Sequence, residues 1–505
     1  MPKLTRRALL ASPALLAAPA LLAASQVSAQ DPRTLAIGVV SDPVTLDPAF
    51  SASFFENAVM YCLHETLLVA VPDGTVYPGL ATHASTDPLR HVLTLRDGLT
   101  FHDGTPLDAA AVKANLDRYL DPATASIRKA DLGPLNEVAV TGPLTVELRL
   151  NAPYAPLPLV LTNRAGMIVS PTALRRLGAD FATQAVGCGA YKLASWTKNS
   201  ELVLERFDGY WRGRGHGFDR LLFRPIPDET VRLTNLRSGT LQLIDAVPPQ
   251  AVAGLGREAA VRVSQMPGLG FNAWSLNTTR APFNDARVRR AFVAAVDPDV
   301  VQRVVYFGTG RVAHGPLSPA VAWAFDKELA PPRPDPARAK ALLAEAGVAM
   351  PVPVVITVTN SPQMVRIAQI AQAQANDAGF RVEVRQIDPT SLITVLRQRD
   401  FDVCMSPWSG RYDPDGNMFL YFSKGGPNNF PGYDDGEVTA WLAEARTATD
   451  QAARIRLYQQ AQRKLVQDAP MLFLHFDAVI QASSARLAWT QYPDAVFRLF
   501  DAHIA

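Results

Sequence analysis

Ten consecutive residues, Trp408-Ser409-Gly410-Arg411-Tyr412-Asp413-Pro414-Asp415-Gly416-Asn417, place an aromatic ring, a fixed cation and two carboxylates directly behind an apolar strand segment, Phe401 to Met405. Each group has a distinct binding chemistry. An indole offers a flat stacking surface, and a guanidinium holds a carboxylate or phosphate through two parallel hydrogen bonds. Asp413 and Asp415 accept hydrogen bonds from a cation or an amide. The Gly and Pro residues turn the chain, so these groups stand at a strand end where a scaffold can aim them. An isolated Asp-Pro-Asp-Gly is also a common solvated turn, and the rest of the chain decides between the two.

Nothing else in the sequence spells catalysis. His102, in Phe101-His102-Asp103-Gly104, could serve as a base or a metal ligand, but Asp103-Gly104 marks a turn and a structural role fits better. His64-Glu65 begins like a zinc-protease motif, yet Leu68 occupies the place of the second histidine. There is no Gly-x-Ser-x-Gly elbow and no phosphate loop. Cys62, Cys188 and Cys404 are odd in number and widely spaced, which gives neither a disulfide framework nor a zinc site. Cys62 and Cys404 read as buried thiols, and Cys188, between Gly187 and Gly189, as part of a tight turn. No metal or cofactor is called for.

The chain of 505 residues is too long for one ordinary core, so two or more domains or one large two-lobed unit are expected. A hydrophobic share of 48%, a charged share of 19% and 40 prolines describe a globular, loop-rich protein. Residues 1–29 read as an export signal: Lys3, Arg6 and Arg7, then an apolar run from Ala8 to Ala24, then Val27-Ser28-Ala29 as a small-residue cleavage site. Thr5-Arg6-Arg7 with Leu9-Leu10 is similar to a twin-arginine signal, although Leu9 stands where Phe is usual, which leaves the general secretory route open. The run contains Pro13 and Pro19 and is short for a membrane anchor. Cleavage removes three cations and leaves 46 basic against 47 acidic residues, a balance that argues against a nucleic-acid partner. The mature protein is expected to be exported and soluble.

The elements that must position the 408–417 cluster are legible in outline. Thr34 to Val40 reads as a buried strand and Asp42 to Pro48 as the loop leaving it. His91 to Arg96 and Leu144 to Leu150 alternate apolar and polar residues, as half-buried antiparallel strands do, and Asp108 caps a helix between them. Asp335-Pro336 starts a helix that ends at Gly347, and Ser361-Pro362 starts one that ends at Gly379. Strand Val352 to Val358, that second helix, strand Arg381 to Gln386, helix Pro389 to Arg399 and strand Phe401 to Met405 alternate as in an α/β lobe with a partly parallel sheet. In such lobes ligands sit beyond the carboxyl ends of strands, where Trp408 to Asp415 would fall.

Several segments, in order along nearly the whole mature chain, resemble the family 5 extracellular solute-binding proteins of bacterial ABC importers, the dipeptide, oligopeptide and nickel binders. They include Phe101-His102-Asp103-Gly104-Thr105-Pro106-Leu107, Ala185 to Leu193, Leu204 to Trp211, Asn277 to Asp285 with Arg287 to Ala291, Gly315-Pro316-Leu317, Asp335 to Gly347 and Asp468-Ala469-Pro470. The resemblance implies a two-lobed α/β periplasmic-binding-protein fold of type II, with an extra α+β subdomain in the first lobe and a two-strand hinge. Residues 30–268 plus 481–505 would form the first lobe, with the subdomain at about 76–184, and 269–480 the second. The chain would cross near Pro267 to Ser275 and return near His475 to Gln481. It further implies a monomer without catalysis that closes over a peptide or other small organic solute and presents the closed form to an ABC permease.

By the same analogy, candidate ligand contacts are Trp408, Arg411, Tyr412, Asp413 and Asp415, together with Phe50 and Ser51 after the Asp47-Pro48 loop, Phe271, Asn272 and Trp274 at the first crossing, and Asn360 after a strand of the second lobe. The aromatics among them would serve equally well as core. In peptide-binding relatives an Asp follows the Trp after two residues and receives the ligand's amino terminus. Here Arg411 occupies that offset. A cation there favours an anionic group, and either Asp413 or Asp415 would take over an amine or orient Arg411. The alternatives within the same fold are a non-peptide anionic solute binder and a peptide-binding sensor. A secreted hydrolase would need a nucleophile or metal pair that the sequence lacks.

Overall fold

The computed structural model describes residues 33–505 apart from 54, 214–216 and 331–332. The expected export signal, residues 1–29, lies outside the described residues. Two large sheets organise the chain. The first has seven strands in the order Tyr191–Thr197, Glu201–Arg206, Arg220–Pro225, Thr34–Val39, Leu243–Ile244, Ala478–Ser484 and Val261–Pro267. Thr34–Val39, buried along almost its whole length, pairs in parallel with Arg220–Pro225 and Leu243–Ile244, as its unbroken apolar run requires. The second sheet has six strands, Arg311–Val312, Met471–Phe476, Asn272–Leu276, Val403–Met405, Val352–Thr359 and Phe380–Ile387. Its last three strands are parallel and its first three antiparallel. Val403–Met405 lies between the two sets, antiparallel to Asn272–Leu276.

The helices of the second lobe begin and end where local chemistry dictates. Asp335 accepts a hydrogen bond from the Arg338 backbone N–H at 2.9 Å and caps the helix Pro336–Ala346, which Gly347 closes at φ 70°. Pro362–Asp377 starts on its proline, although the Ser361 side chain makes no cap bond. The expected helix Pro389 to Arg399 divides into a 3-10 turn, Pro389–Ser391, and an α-helix, Leu392–Gln398. Helices cover both faces of this sheet. Trp274 and Leu276 pack into one hydrophobic cluster and Phe271 and Ala273 into another, because successive strand side chains point to opposite faces.

A third sheet of four antiparallel strands, Ala81–Asp87, Arg90–Leu95, Thr145–Leu150 and Leu135–Gly142, forms a separate unit with its own core. The helix Ala109–Leu120, capped by Asp108 through the Ala111 N–H at 2.9 Å, belongs to it. The chain passes between the two large sheets twice, between Pro267 and Asn272 and through Asp477 alone. No helix among the described residues is long and apolar enough to cross a membrane. All three cysteines are buried and free.

Candidate functional site

The strand Val403–Met405 delivers the chain to the 408–417 turn, and backbone contacts hold the turn against the first crossing. Phe271 and Trp408 exchange both N–H···O bonds at 2.9 Å, which prolongs the ladder beyond the strand. Two glycines make this approach possible. A Cβ on Gly270 would stand 2.0 Å from the Trp408 carbonyl oxygen, and one on Gly410, at φ 79°, would stand 2.2 Å from the Leu269 carbonyl. Asn417 then clamps the turn. Its Oδ1 accepts from Trp408 Nε1 and from the Arg411 N–H, each at 2.8 Å, and its Nδ2 donates to the Arg411 carbonyl at 2.8 Å. The Arg411 guanidinium lies over the Trp408 ring, 4.4 Å from its centre, and donates to the Gly410 carbonyl at 2.7 Å.

Trp408, Arg411, Tyr412, Asp413 and Asp415 line one wall of a cavity of about 310 Å³. The opposite wall comes from the first lobe and its subdomain, including Arg128, Tyr154 and Arg164. The lobes touch at its rim, where the Ala155 N–H donates to the Arg446 carbonyl at 3.0 Å. Another hollow, of about 390 Å³, is lined between Tyr61 and His503 wholly by first-lobe residues and spans no such junction.

Arg128 and Arg164 are both buried, which is uncommon for arginine unless it is paired or functional. Arg128 Nη1 is 2.5 Å from Asp131, and its Nη2 donates to the Ser51 carbonyl at 3.2 Å. Arg164 Nη1 donates to the Ser51 carbonyl and hydroxyl, both at 3.1 Å, and to the Ser53 carbonyl at 3.0 Å. The Nε atoms of both have no hydrogen-bond partner. Burial, with Arg128 and Arg411 adding repulsion, pushes the Arg164 pKa down to about 10. Arg411 is also lowered, first by burial, with Asp131 opposing and Arg128 reinforcing the shift. Three guanidiniums thus sense one another around one space.

The two aspartates differ. Both Asp413 oxygens accept from Arg454 Nη2, at 2.8 and 2.9 Å, and one also accepts from the Asp415 N–H at 2.9 Å. Both Asp413 oxygens are therefore engaged by Arg454 in a buried ion pair, which accounts for this carboxylate without a ligand. Asp415 stands 3.2 Å from Arg446 Nε, but the two are not aligned as a hydrogen bond and both atoms lack another partner. Burial, with Asp413 adding repulsion and Arg446 opposing, raises the Asp415 pKa to about 7. Tyr412 faces the cavity with a buried, unpartnered hydroxyl.

The remaining expected contacts lie elsewhere. Phe271 and Trp274 fill the cores on the two faces of their sheet. Asn272 donates to the Asp477 carboxylate at 3.0 Å and joins the two crossings. Phe50 is exposed, with Arg118 5.5 Å from its ring centre, and Asn360 is exposed at a strand end. Ser51 is fully buried behind the cavity wall, where its oxygens hold Arg128 and Arg164 in place. His102 bridges backbone: Nδ1 accepts from the Gly187 N–H at 3.3 Å and Nε2 donates to the Gly189 carbonyl at 3.0 Å. Its pKa falls to about 4, chiefly through burial. Sequence reasoning overlooked Arg128, Arg164, Tyr154 and Arg446. For Arg164 a signal existed: it is the lone charge in the apolar stretch between Tyr154 and Ser170.

Residues 75–430 match the profile of the bacterial extracellular solute-binding proteins, family 5 Middle. The chain belongs to that family. Members are solute-binding components of ABC importers, so this is a substrate-binding protein whose partners are a small ligand and a permease. A glutathione-binding protein, GsiB, from Shigella flexneri serotype 5b (strain 8401) is 28% identical over 487 residues, 94% of this chain and 95% of the relative. A probable D,D-dipeptide-binding periplasmic protein, DdpA, from Escherichia coli (strain K12) is 30% identical over 463 residues, 87% of this chain and 88% of the relative. The fold matches that of the periplasmic binding protein DppA from Helicobacter pylori in complex with the peptide STSA. The TM-score there is 0.82, with 23% identity over 93% of this chain and 98% of the other.

Proposed function

We propose that this protein works in the periplasm as the soluble, monomeric, non-catalytic receptor of an ABC importer, and that it captures a short peptide or similar small solute through a carboxylate. The observation that carries this reading is the meeting of Arg128 and Arg164 from the first lobe with Arg411 from the second around one cavity. The likeness to glutathione- and D,D-dipeptide-binding proteins supports a small, carboxylate-bearing ligand. By the resemblance, Arg411 takes the offset of an amine-binding Asp, and a guanidinium there favours an anionic group of the ligand. A ligand that touches both walls is bound fully only when the lobes are together, and binding shifts the population toward that state. The connections at 268–271 and Asp477, tied by Asn272, are the places where the lobes would pivot.

Small-angle scattering tests the closure. Mature protein is stripped by unfolding and refolding, then titrated with the solute that co-purifies with it. The radius of gyration is expected to fall on loading. At a hundredfold excess over the dissociation constant the native state gains about 2.7 kcal/mol. An unchanged radius at saturation contradicts closure.

A further inference from the structure

The cavity between the lobes carries more positive charge than the protein neutralises. Four guanidiniums line it, those of Arg128, Arg164, Arg411 and Arg446. Arg128 is matched by Asp131 and Arg446 by Asp415. The other two lining carboxylates are committed away from it, Asp413 to Arg454 at 2.8 Å and Asp494 to Arg498 at 2.7 Å. Arg164 and Arg411 have no carboxylate partner among the described residues. Arg164 donates only to the neutral oxygens of Ser51 and Ser53, and Arg411 only to those of Ser409 and Gly410.

The buried Glu56 carboxylate reaches Arg164 only through the Ser51 hydroxyl that both bond, so two guanidiniums on the cavity wall are left without an ion pair. Their mutual repulsion and burial disfavour the empty cavity, and even the lowered Arg164 pKa of about 10 leaves its guanidinium charged at neutral pH. Removing a proton does not relieve the imbalance; a ligand does. The unpartnered Nε atoms of Arg128 and Arg164 are two donors already in place for it.

We propose that the ligand is a dianion, a small solute with two carboxylates borne close together, whose net charge of −2 answers Arg164 and Arg411. This rests on the cavity being the ligand site, and it narrows the solute class to dicarboxylates and acidic peptides. A zwitterionic dipeptide of net charge zero would bring an ammonium with its one carboxylate and leave both excess charges standing. The carboxylates face Arg128, Arg164 and Arg411. The Asp415–Arg446 pair, 3.2 Å apart, faces the uncharged remainder of the solute.

The test is calorimetric titration of stripped, mature protein with three compounds of nearly equal shape: N-acetylglutamate (two carboxylates), N-acetylglutamine (one) and N-acetylglutamine amide (none). The dianion is expected to bind at least about tenfold more tightly than the monoanion, as loss of one desolvated charge contact requires. Arg411→Met, whose side chain keeps an apolar contact with Trp408, should shrink that ratio to below about threefold, with the melting temperature confirming a folded variant. Equal affinity for the two anions, with the neutral compound weaker, overturns the dianion and leaves the carboxylate anchor standing. Equal affinity for all three overturns both. Absence of binding by N-acetylglutamate at millimolar concentration, or stabilisation by inorganic phosphate in its place, overturns the dicarboxylate assignment.

Discussion

Replacing Asp413 separates a structural carboxylate from a ligand-binding one. Its side chain is 7% exposed and that of Arg454 is 10% exposed, with 2.8 Å between them. Arg454 also donates to the Ala445 carbonyl at 2.9 Å and approaches the Trp323 ring to 5.1 Å. Asp413→Asn keeps an oxygen for the Asp415 N–H, removes the charge and turns one acceptor facing Arg454 into an NH2 donor. The buried guanidinium then loses its counter-ion, a change that costs about 3–5 kcal/mol when one member of a buried pair is removed. Its remaining bonds to Ala445 and Tyr458 place the expected loss at the lower end of that range. Adding Arg454→Met removes the stranded charge, and the double variant should recover part of the loss, because the penalty for an uncompensated buried charge disappears while the buried Asn amide keeps only its bond from the Asp415 N–H. Urea unfolding followed by fluorescence gives the three stabilities, and calorimetry with N-acetylglutamate gives the affinities. A loss below about 1 kcal/mol, the value of an exposed pair, refutes the structural assignment. A selective fall in affinity at unchanged stability would return Asp413 to the ligand.

Arg411→Ala should weaken binding of the co-purifying solute by at least about tenfold, since one partner of a desolvated charge contact is worth about 2–5 kcal/mol. Arg411→Lys should recover only part of this, because an ammonium lacks the planar fork. Calorimetry on wild type and both variants checks this, and equal affinities would show the residue to be a solvated turn position. Asp415 supplies a pH prediction. Its folded pKa of about 7 lies above the ordinary 3.8, so its stabilising contribution is present in full below pH 4 and is lost as the pH rises through 7. Asp415→Asn should flatten the fall in stability over that range by up to about 1.4 kcal/mol per pH unit. Asp245 and Asp477, each raised to about 6, keep some slope in the variant. Urea unfolding across the range measures it, and identical slopes in the two proteins contradict the assignment.

The helices Pro336–Ala346 and Pro362–Asp377 were legible because Asp-Pro, Ser-Pro and Gly are local signals that act on their own backbone. The turn at Trp408 was legible for a similar reason: its charged and aromatic groups are neighbours in sequence as well as in space. Arg128 and Arg164 were not, since what makes them site residues is the distant Arg411 and the oxygens of Ser51. Phe271 and Trp274 show the opposite limit. Their type and proximity to the crossing suited a ligand contact, but both faces of their sheet are covered, so neither phase of the strand meets the cavity. Asp413 and Asp415 look equivalent in sequence, and only the position of Arg454 distinguishes them.

Native mass spectrometry of the protein purified from the periplasm tests the central claim most directly. The account predicts a mature chain carrying one small solute in one-to-one ratio, released on unfolding as an acidic compound with more carboxylates than amines, and absent or much reduced in Arg411→Ala. A chain that carries nothing and is stabilised by no acidic peptide or dicarboxylate, or one whose bound solute is a cation retained equally by Arg411→Ala, contradicts it.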